Sequence, residues 1–246
     1  MSSSAEAAPG VRAASIRYVI DRANVELRLP ARRAALVGKL TEISGEIELS
    51  PSVMEDSRAT LRADLLSLML SAEPTRDPRP PKRGKAAPAD GVALSTESSN
   101  ASFVARAFDW LEISAGRAAS DREQNRFAEL VVRALTRPSN EANSERETTR
   151  VTALAELTLH RFRVPISLEL DVRWDAEDGP EPRGLTIRTR RAFVIQLAAH
   201  DILPRDARGS IQTRELGKDG REPYREVHIT AELHAHPAPT QPVANP

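Results

Sequence analysis

Residues 149–175 constrain the fold more than any other part of this chain, because two long stretches alternate apolar and polar side chains across a very short break. The side chains of a β-strand point to opposite faces with a period of two. The second stretch collects apolar residues on one face: Val164, Ile166, Leu168, Leu170, Val172 and Trp174. The first stretch does the same with Val151, Ala153, Ala155, Leu157 and Leu159. Leu154 alone breaks the polar face, so the pattern predicts a long antiparallel hairpin with one dry face.

The same alternation continues in other parts of the chain. It predicts further strands over 16–29, 35–49, 57–66, 127–136, 184–198 and 224–235. Together with the hairpin these make eight long strands. Eight is the number at which a closed barrel becomes just wide enough for side chains or for one small ligand. We therefore expect a mainly β protein, an eight-stranded antiparallel barrel.

Residues 73–99 interrupt the strand pattern, because they contain five prolines and several charges. Proline cannot donate to a strand ladder, so this stretch is predicted to be a surface loop or linker. A short helix is expected after it, capped by Asn100 or Ser102. Apolar residues then follow helical spacing at Phe103, Ala107, Trp110 and Leu111. We place the domain at 15–236, with disordered tails at 1–14 and 237–246.

The interior must be built from aliphatic residues, because aromatic residues make up only 4% of the chain. Several positions predicted to point inward are alanines: Ala59, Ala63, Ala153, Ala155, Ala231 and Ala235. Small side chains leave room, and protein interiors are close-packed. Either a ligand fills this space, or a covering helix plugs it or the core collapses.

A ligand inside the barrel would contact residues that several predicted strands share on their inward face. The predicted lining is Leu27, Leu61, Val132, Ala155, Leu157, Ile166, Leu168, Ile195, Ile229 and Leu233. Such an aliphatic lining suits a long hydrocarbon chain, because burial of apolar area needs no directional partners. Alternatively, these side chains are ordinary core residues.

Arg191 breaks the alternation of the strand predicted over 184–198, because it falls on the inward face with Phe193 and Ile195. A β-bulge that resets the register is one explanation. The other is a buried arginine that meets the anionic head group of a lipid, so Arg191 joins the predicted binding residues.

Two groups of polar residues have the composition of a chemical site. Residues 197–206 place His200, Asp201 and Asp206 near Arg205, which suits a metal, an acid–base pair, or a simple loop in which an aspartate pairs with Arg205. The last strand carries His228, His234 and His236 beside Glu226 and Glu232, which suits a metal or a solvated face. We favour the loop and the solvated face, and expect no catalytic residue, metal ion or cofactor.

Composition excludes several classes of function. Basic and acidic residues balance at 35 each, so broad electrostatic binding to nucleic acid or to an anionic membrane is not expected, and only local charged patches remain open. The chain has no cysteine and no apolar run long enough for a spanning helix, and residues 1–15 lack the charged start and apolar run expected of a secretory leader. We therefore expect a cytoplasmic protein without a membrane span, and barrels of this kind also allow a homodimer.

Four segments, in order, resemble motifs of the YceI-like family of lipocalin-like barrels that bind polyisoprenoid lipids. They are Tyr18-Val19-Ile20-Asp21 with Asn24-Val25-Glu26-Leu27, then Gly45-Glu46-Ile47-Glu48-Leu49, Phe108-Asp109-Trp110-Leu111, and the hairpin sequence ALAELTLHRFRVPISLEL. Three features depart from the family pattern: His160-Arg161-Phe162-Arg163 at the hairpin turn, the insertion at 73–99, and the closing run from His200 to Asp206.

The resemblance implies a lipocalin-like barrel with a short α-helix near one opening. It also implies non-catalytic binding of a long-chain amphiphile, an isoprenoid quinone or a polyprenyl lipid. Two alternatives remain open at this point. One is a barrel without a ligand that serves as a structural or interaction module, and the other is a hydrolase or isomerase that uses His200 with Asp201 or Asp206.

Overall fold

The computed structural model describes residues 15–29, 34–50, 53–74, 96–137, 148–175, 184–213 and 225–239. Within these ranges there are eleven strands: β1 (Ile16–Leu29), β2 (Ala34–Leu40), β3 (Ile43–Leu49), β4 (Arg58–Asp64), β5 (Met69–Pro74), β6 (Phe127–Thr136), β7 (Thr148–Leu159), β8 (Phe162–Trp174), β9 (Leu185–Thr189), β10 (Phe193–Gln196) and β11 (Glu226–Pro237). The same ranges hold two α-helices, α1 (Thr96–Trp110) and α2 (Ala119–Asn125).

A closed antiparallel barrel of eight strands is the centre of the fold, as predicted. Around the barrel the order is β1, β3, β4, β6, β7, β8, β9 and β11, and β11 pairs back onto β1. Strand β2 also pairs with β1, beyond β3, and β10 also pairs with β11, beyond β9. The predicted strands 35–49 and 184–198 are therefore each split in two, but both halves lie on one neighbour, so the barrel still has eight positions.

The β7–β8 hairpin matches its sequence pattern closely. Its inward residues on β7 are buried, and Leu154 on the outer face is 49% exposed. The turn consists of two residues, His160 and Arg161, with φ of 50° and 69°. Two consecutive left-handed residues are typical of the type I′ turn that suits strand twist, although glycine and asparagine are its usual occupants. The buried side chain of His160, described below, holds this turn in place.

The region between β4 and α1 differs from the prediction. After β4 a short 3₁₀ turn at 65–67 leads into β5, which pairs with β2 and was not predicted as a separate strand. Residues 73–74 belong to β5 and 96–99 to α1, so both ends of the stretch predicted as a loop have regular structure, and 75–95 lie outside the described residues. Asn100 and Ser102 lie within α1 and do not cap it.

At its C-terminal boundary, the domain extends beyond the prediction. Strand β11 continues to Pro237, and the amide of Ala238 donates to the carbonyl of Arg17 at 2.8 Å. Pro237 and Ala238, which the prediction assigned to the tail at 237–246, are therefore part of the folded domain. Residues 1–14 and 240–246 lie outside the described residues.

The inward position predicted for Arg191 is wrong. Strand β9 ends at Thr189 and β10 begins at Phe193, so the alternation does not run continuously through the residues between them. The Arg191 side chain is 75% exposed on the outside of the barrel, where its guanidinium donates to Glu169 at 2.5 Å. An interruption between two strands, rather than an inward arginine or a bulge, explains the broken pattern.

One end of the barrel, which we call the base, is closed by tightly packed side chains. The base residues are Tyr18, Leu49, Met54 and Leu185, and each is at most 2% exposed. Met54 comes from a 3₁₀ turn that crosses between β3 and β4. The opposite end, which we call the helix end, contains the C-terminus of α1, the β7–β8 turn and residues 197–213.

Candidate ligand-binding cavity

A cavity of about 260 Å³ lies inside the barrel between the base and the helix end. Eight of the residues predicted to contact a ligand line it: Leu27, Leu61, Val132, Leu157, Leu168, Ile195, Ile229 and Leu233. Helix α1 contributes Ala107 and Trp110, and Leu111 follows them. The sequence left open whether a helix or an internal space fills the barrel. The structure has both, because α1 covers one end and the space remains beneath it.

Three predicted binding residues do not line the cavity. Ala155 and Ile166 face each other across β7 and β8 and point inward, but they pack among other core side chains. Arg191 lies outside, as described above. Alternation fixes the face on which a side chain lies, but it does not reveal whether larger neighbours cover a small one.

Side chains that point into the barrel but remain partly exposed mark the open space. Leu27, Leu61, Ala231 and Phe193 face inward by alternation, yet none of them is fully buried. The inward alanines divide into two groups. Ala59, Ala63 and Ala231 line the cavity, whereas Ala153, Ala155 and Ala235 belong to the packed core. The small residues on β4 and β11 thus leave the room that the sequence suggested.

The cavity wall offers almost no free polar group. Among the described lining residues, the side chains with polar atoms are Arg58, Trp110 and Thr189. The Arg58 guanidinium donates to the carbonyls of Glu55 and Ser57, both at 2.8 Å. The Thr189 hydroxyl accepts from the amide of Ala231 at 3.0 Å. A group inside this cavity therefore meets hydrocarbon on nearly every side.

A buried carboxylate organises the helix end. Glu112 lies two residues after the end of α1 and has φ of 57°. Its side chain is 8% exposed. The Arg117 guanidinium donates to one of its oxygens, and guanidinium nitrogens of Arg161 and Arg205 lie 3.9 and 4.0 Å from the carboxylate. We call Glu112, Arg117, His160, Arg161 and Arg205 the Glu112 cluster. Because several cations share one carboxylate, this cluster ties three separate segments together.

Two buried histidines, His160 and His200, add further contacts between the segments at the helix end. The His160 ring lies 3.0 Å from a Glu112 oxygen through Nε2 and 3.0 Å from the carbonyl of His200 through Nδ1. The His200 Nδ1 donates to the carbonyls of Leu159 and Phe162, at 3.3 and 3.2 Å. Both rings are about 1% exposed. The histidines therefore fasten the β7–β8 turn to residues 197–200.

Burial lowers the pKa of His200, and the neighbouring His160 lowers it further, against the opposing effect of the two carbonyls. The folded protein therefore protonates His200 only at a lower pH than the unfolded chain does, whose histidine has an ordinary pKa of about 6.5. Since the unfolded state then holds more protons, this residue makes stability fall as pH drops below about 6.5.

His200→Gln is expected to cost about 1–3 kcal/mol at neutral pH, because the carbonyls of Leu159 and Phe162 lose their donor. The stability difference between wild type and variant should shrink on going from about pH 7 to about pH 5, since glutamine binds no proton. Urea unfolding at a series of pH values measures this. A difference that stays constant across the series would contradict the lowered pKa of His200.

The segment that follows His200 behaves as the loop that we favoured. Asp201 accepts from Arg205 at 3.1 Å, so the predicted pairing is confirmed. Asp206 accepts from the amides of Arg208 and Ser210 and organises the loop. Neither aspartate lies with His200 in an arrangement for proton transfer, because the His200 ring faces backbone carbonyls.

The histidines of β11 lie on the outer face, as alternation predicted. His228 contacts Glu226 at 3.0 Å, and His234 contacts Glu232 at 3.3 Å. His236 is 54% exposed. In the described ranges, no cluster of three or more histidine, aspartate or glutamate side chains has the geometry to hold a metal ion.

Sequence reasoning did not find the Glu112 cluster. Its members are separated by up to 93 positions in the chain, since Glu112 lies near Arg205. One signal was visible: His160 and Arg161 stand in a tight turn where glycine is expected. A residue that occupies such a turn at a conformational cost often has a side chain with a structural role.

Comparison with known proteins identifies the fold. No family model and no curated protein matches the sequence. A polyisoprenoid-binding domain from Saccharophagus degradans, implicated in plant cell wall breakdown, is similar in structure with a TM-score of 0.50 and 13% identity, over 91% of this chain and 99% of that one. BcnA of Burkholderia cenocepacia gives 0.51 and 14%, over 87% and 96%. A Campylobacter jejuni YceI protein gives 0.43 and 9%, over 82% and 85%.

The first two of these structures support a shared fold over nearly the whole chain. The fold expected from the resemblance to YceI-like barrels is therefore confirmed. No α-helix in the described ranges is both long enough and apolar enough to cross a membrane.

Proposed function

We propose that this protein binds one apolar chain of an amphiphilic lipid inside the barrel, without catalysing a reaction. The observation that carries this proposal is the cavity wall, in which nearly every side chain is aliphatic and the few polar groups already have partners. Burial of hydrocarbon is favourable in proportion to apolar area and requires no directional contact. A chain without polar groups is therefore the ligand that this space suits best.

The size of the cavity narrows the class of ligand. Ligand sites usually enclose about 300–1,000 Å³, and about 260 Å³ lies just below that range. One narrow chain fits this volume better than two chains or a bulky ring system. The Saccharophagus domain, described as polyisoprenoid-binding, supports an isoprenoid chain as the first candidate. An isoprenoid quinone or a polyprenyl lipid would place its tail inside and its head group at an opening.

The positions of the titratable side chains support binding without catalysis. Glu112, His160 and His200 lie behind the lining residues and are engaged with one another and with backbone carbonyls. Among the lining residues that the structure describes, none is aspartate, glutamate or histidine. A reacting group on a bound chain would thus find no acid or base beside it.

Native mass spectrometry followed by organic extraction tests this proposal directly. We expect a discrete added mass that extracts as an isoprenoid or acyl lipid. A protein that remains free of ligand after incubation with quinones and polyprenyl lipids would overturn the proposal and favour the interaction module. The same spectrum gives the oligomeric state, and both the homodimer and the cytoplasmic location remain predictions.

A substitution that fills the cavity should abolish this binding. Ala231 on β11 lines the cavity, whereas the adjacent Thr230 is exposed on the outer face. Ala231→Phe is expected to weaken binding of a fluorescent polyprenyl probe at least about tenfold, a loss of about 1.4 kcal/mol, because the ring occupies the space of the chain.

The matched control is Thr230→Phe, which adds the same ring one residue away and outside the barrel. It should leave probe affinity within about twofold of wild type, and circular dichroism should show that both variants are folded. Equal affinity of Ala231→Phe and wild type in folded protein would place the ligand elsewhere.

A further inference from the structure

We infer that the rim beside the Glu112 cluster is a docking surface for an anionic lipid bilayer. The basic rim consists of two segments. The first has Arg161 in the β7–β8 turn and Phe162 and Arg163 at the start of β8, and the second has Arg208 and Ile211 in the loop that follows residues 197–200. Phe162 is 45% exposed and Ile211 is 42% exposed. Exposed apolar residues flanked by arginines form a combination that suits the bilayer interface.

Both segments of the basic rim are fixed to the same support. Arg117 donates to the carbonyl of Arg208 at 3.1 Å and also to Glu112. The carbonyl of Phe162 accepts from His200 at 3.2 Å. Ile211 pairs with Arg205 in a β-bridge. The rim is therefore a built surface, positioned by the buried contacts of the Glu112 cluster.

Among the residues that the structure describes, the carboxylates near the rim already have partners, so the outward charges of this part of the rim are arginines. Glu112 is buried, and Asp201 is paired with Arg205. Both carboxylate oxygens of Asp206 accept hydrogen bonds, one from two loop amides and the other from the side chain of Gln212. Arg163 is 63% exposed and shares Glu156 with Arg133, so one carboxylate serves two arginines.

A bilayer explains the rim better than a soluble acidic partner. Each basic residue close to an anionic membrane surface contributes about 1 kcal/mol of attraction. The exposed Phe162 and Ile211 gain only where an apolar phase is available beside the charges. The rim also lies at the end of the cavity, because Leu159 immediately before the turn and Ile202 both line the cavity. Docking at the rim would place the end of the cavity next to the bilayer, which contains the lipids with apolar chains.

Sedimentation with vesicles tests the inference without any bound ligand, so its outcome is independent of the proposed function. We expect the protein to bind vesicles of phosphatidylcholine mixed with phosphatidylglycerol, and to bind more weakly at high salt. A double variant, Arg163→Gln with Arg208→Gln, leaves the side-chain contacts of the Glu112 cluster untouched. It should weaken binding about thirtyfold, from two charges at about 1 kcal/mol each. Phe162→Ser should weaken binding about tenfold.

Two variants of the barrel wall are matched controls. Arg188→Gln removes a 66% exposed arginine away from the rim, and Leu154→Ser removes an exposed apolar side chain. Each should stay within about twofold of wild type.

Three results would overturn the inference. They are no sedimentation with the mixed vesicles, equal sedimentation with pure phosphatidylcholine, or equal losses in the rim and control variants. Salt-sensitive binding to soluble poly-glutamate that exceeds vesicle binding and does not change in Phe162→Ser would also overturn it, in favour of an acidic protein partner.

Discussion

Glu112→Ala is expected to lower the free energy of unfolding by about 3–5 kcal/mol, because it leaves largely buried cations without their carboxylate. The side chains of Arg117 and Arg205 are 18% and 14% exposed, so water cannot fully replace Glu112. Typical domains have a total stability of about 5–15 kcal/mol, so this change removes a large share of it. Urea unfolding followed by circular dichroism measures the loss.

Two related variants make this result interpretable. Glu123→Ala removes a carboxylate that is 69% exposed and 3.9 Å from Arg126, and it should cost at most about 1 kcal/mol. Glu112→Gln keeps the shape and part of the hydrogen bonding, so its loss should fall between the two. If Glu112→Ala were as stable as Glu123→Ala, the cluster would not hold the helix end closed.

Gly45→Ala is expected to destabilise the protein by about 2–3 kcal/mol, because the new methyl group collides with the neighbouring strand. Gly45 on β3 pairs with Leu61 on β4. An added Cβ would lie 2.4 Å from the carbonyl oxygen of Thr60 and 3.0 Å from the Cα of Leu61. Both are backbone atoms, so relief requires the two strands to move apart. Thermal unfolding should show a lower midpoint.

Gly116→Ala is the matched control for this substitution. A Cβ at Gly116 would meet one atom at 3.3 Å, the carbonyl oxygen of Ala207, so a small local shift accommodates it. Its effect should stay within about 0.5 kcal/mol. Equal losses at the two positions would show that contact across β3 and β4 is not the reason for glycine at position 45.

Glu112→Ala and Gly45→Ala act on different parts of the barrel. Gly45 allows β3 and β4 to approach closely in the barrel wall, and Glu112 fixes the segments that close the helix end. Glu112→Ala and Gly45→Ala can each be measured for unfolding, and the fraction that stays folded can be measured for probe binding. Together these measurements would show whether the β3–β4 contact and the Glu112 cluster contribute separately to ligand retention. Residues that share no contact usually have additive effects.

Much of the fold could be predicted because its strands follow a simple periodic rule. The alternation on β7 and β8 identified their buried faces residue by residue, and Leu154 was correctly placed outside. The same rule placed Leu27, Leu61 and Leu168 on the inside, where they line the cavity. It failed at Arg191, because the rule assumes an unbroken strand and the chain leaves the sheet between β9 and β10.

The boundaries between elements were harder to predict. Residues 41–42 divide one expected strand, and residues 65–68 turn the chain from β4 into β5. These breaks depend on how far each strand finds a partner around the barrel. No local pattern carries that information, because it is fixed by pairing between segments far apart in the chain.

By itself, the sequence predicted an antiparallel barrel with an aliphatic interior, because period-two alternation, the number of alternating stretches and the scarcity of aromatic residues are apparent without knowing which segments meet. Only the tertiary structure decided which inward residues border open space and which are covered, as the contrast between Ala231 and Ala155 illustrates. It also decided that Glu112, His160 and Arg205 meet at the helix end. Such contacts arise from barrel closure, which brings together side chains that no spacing along the chain relates.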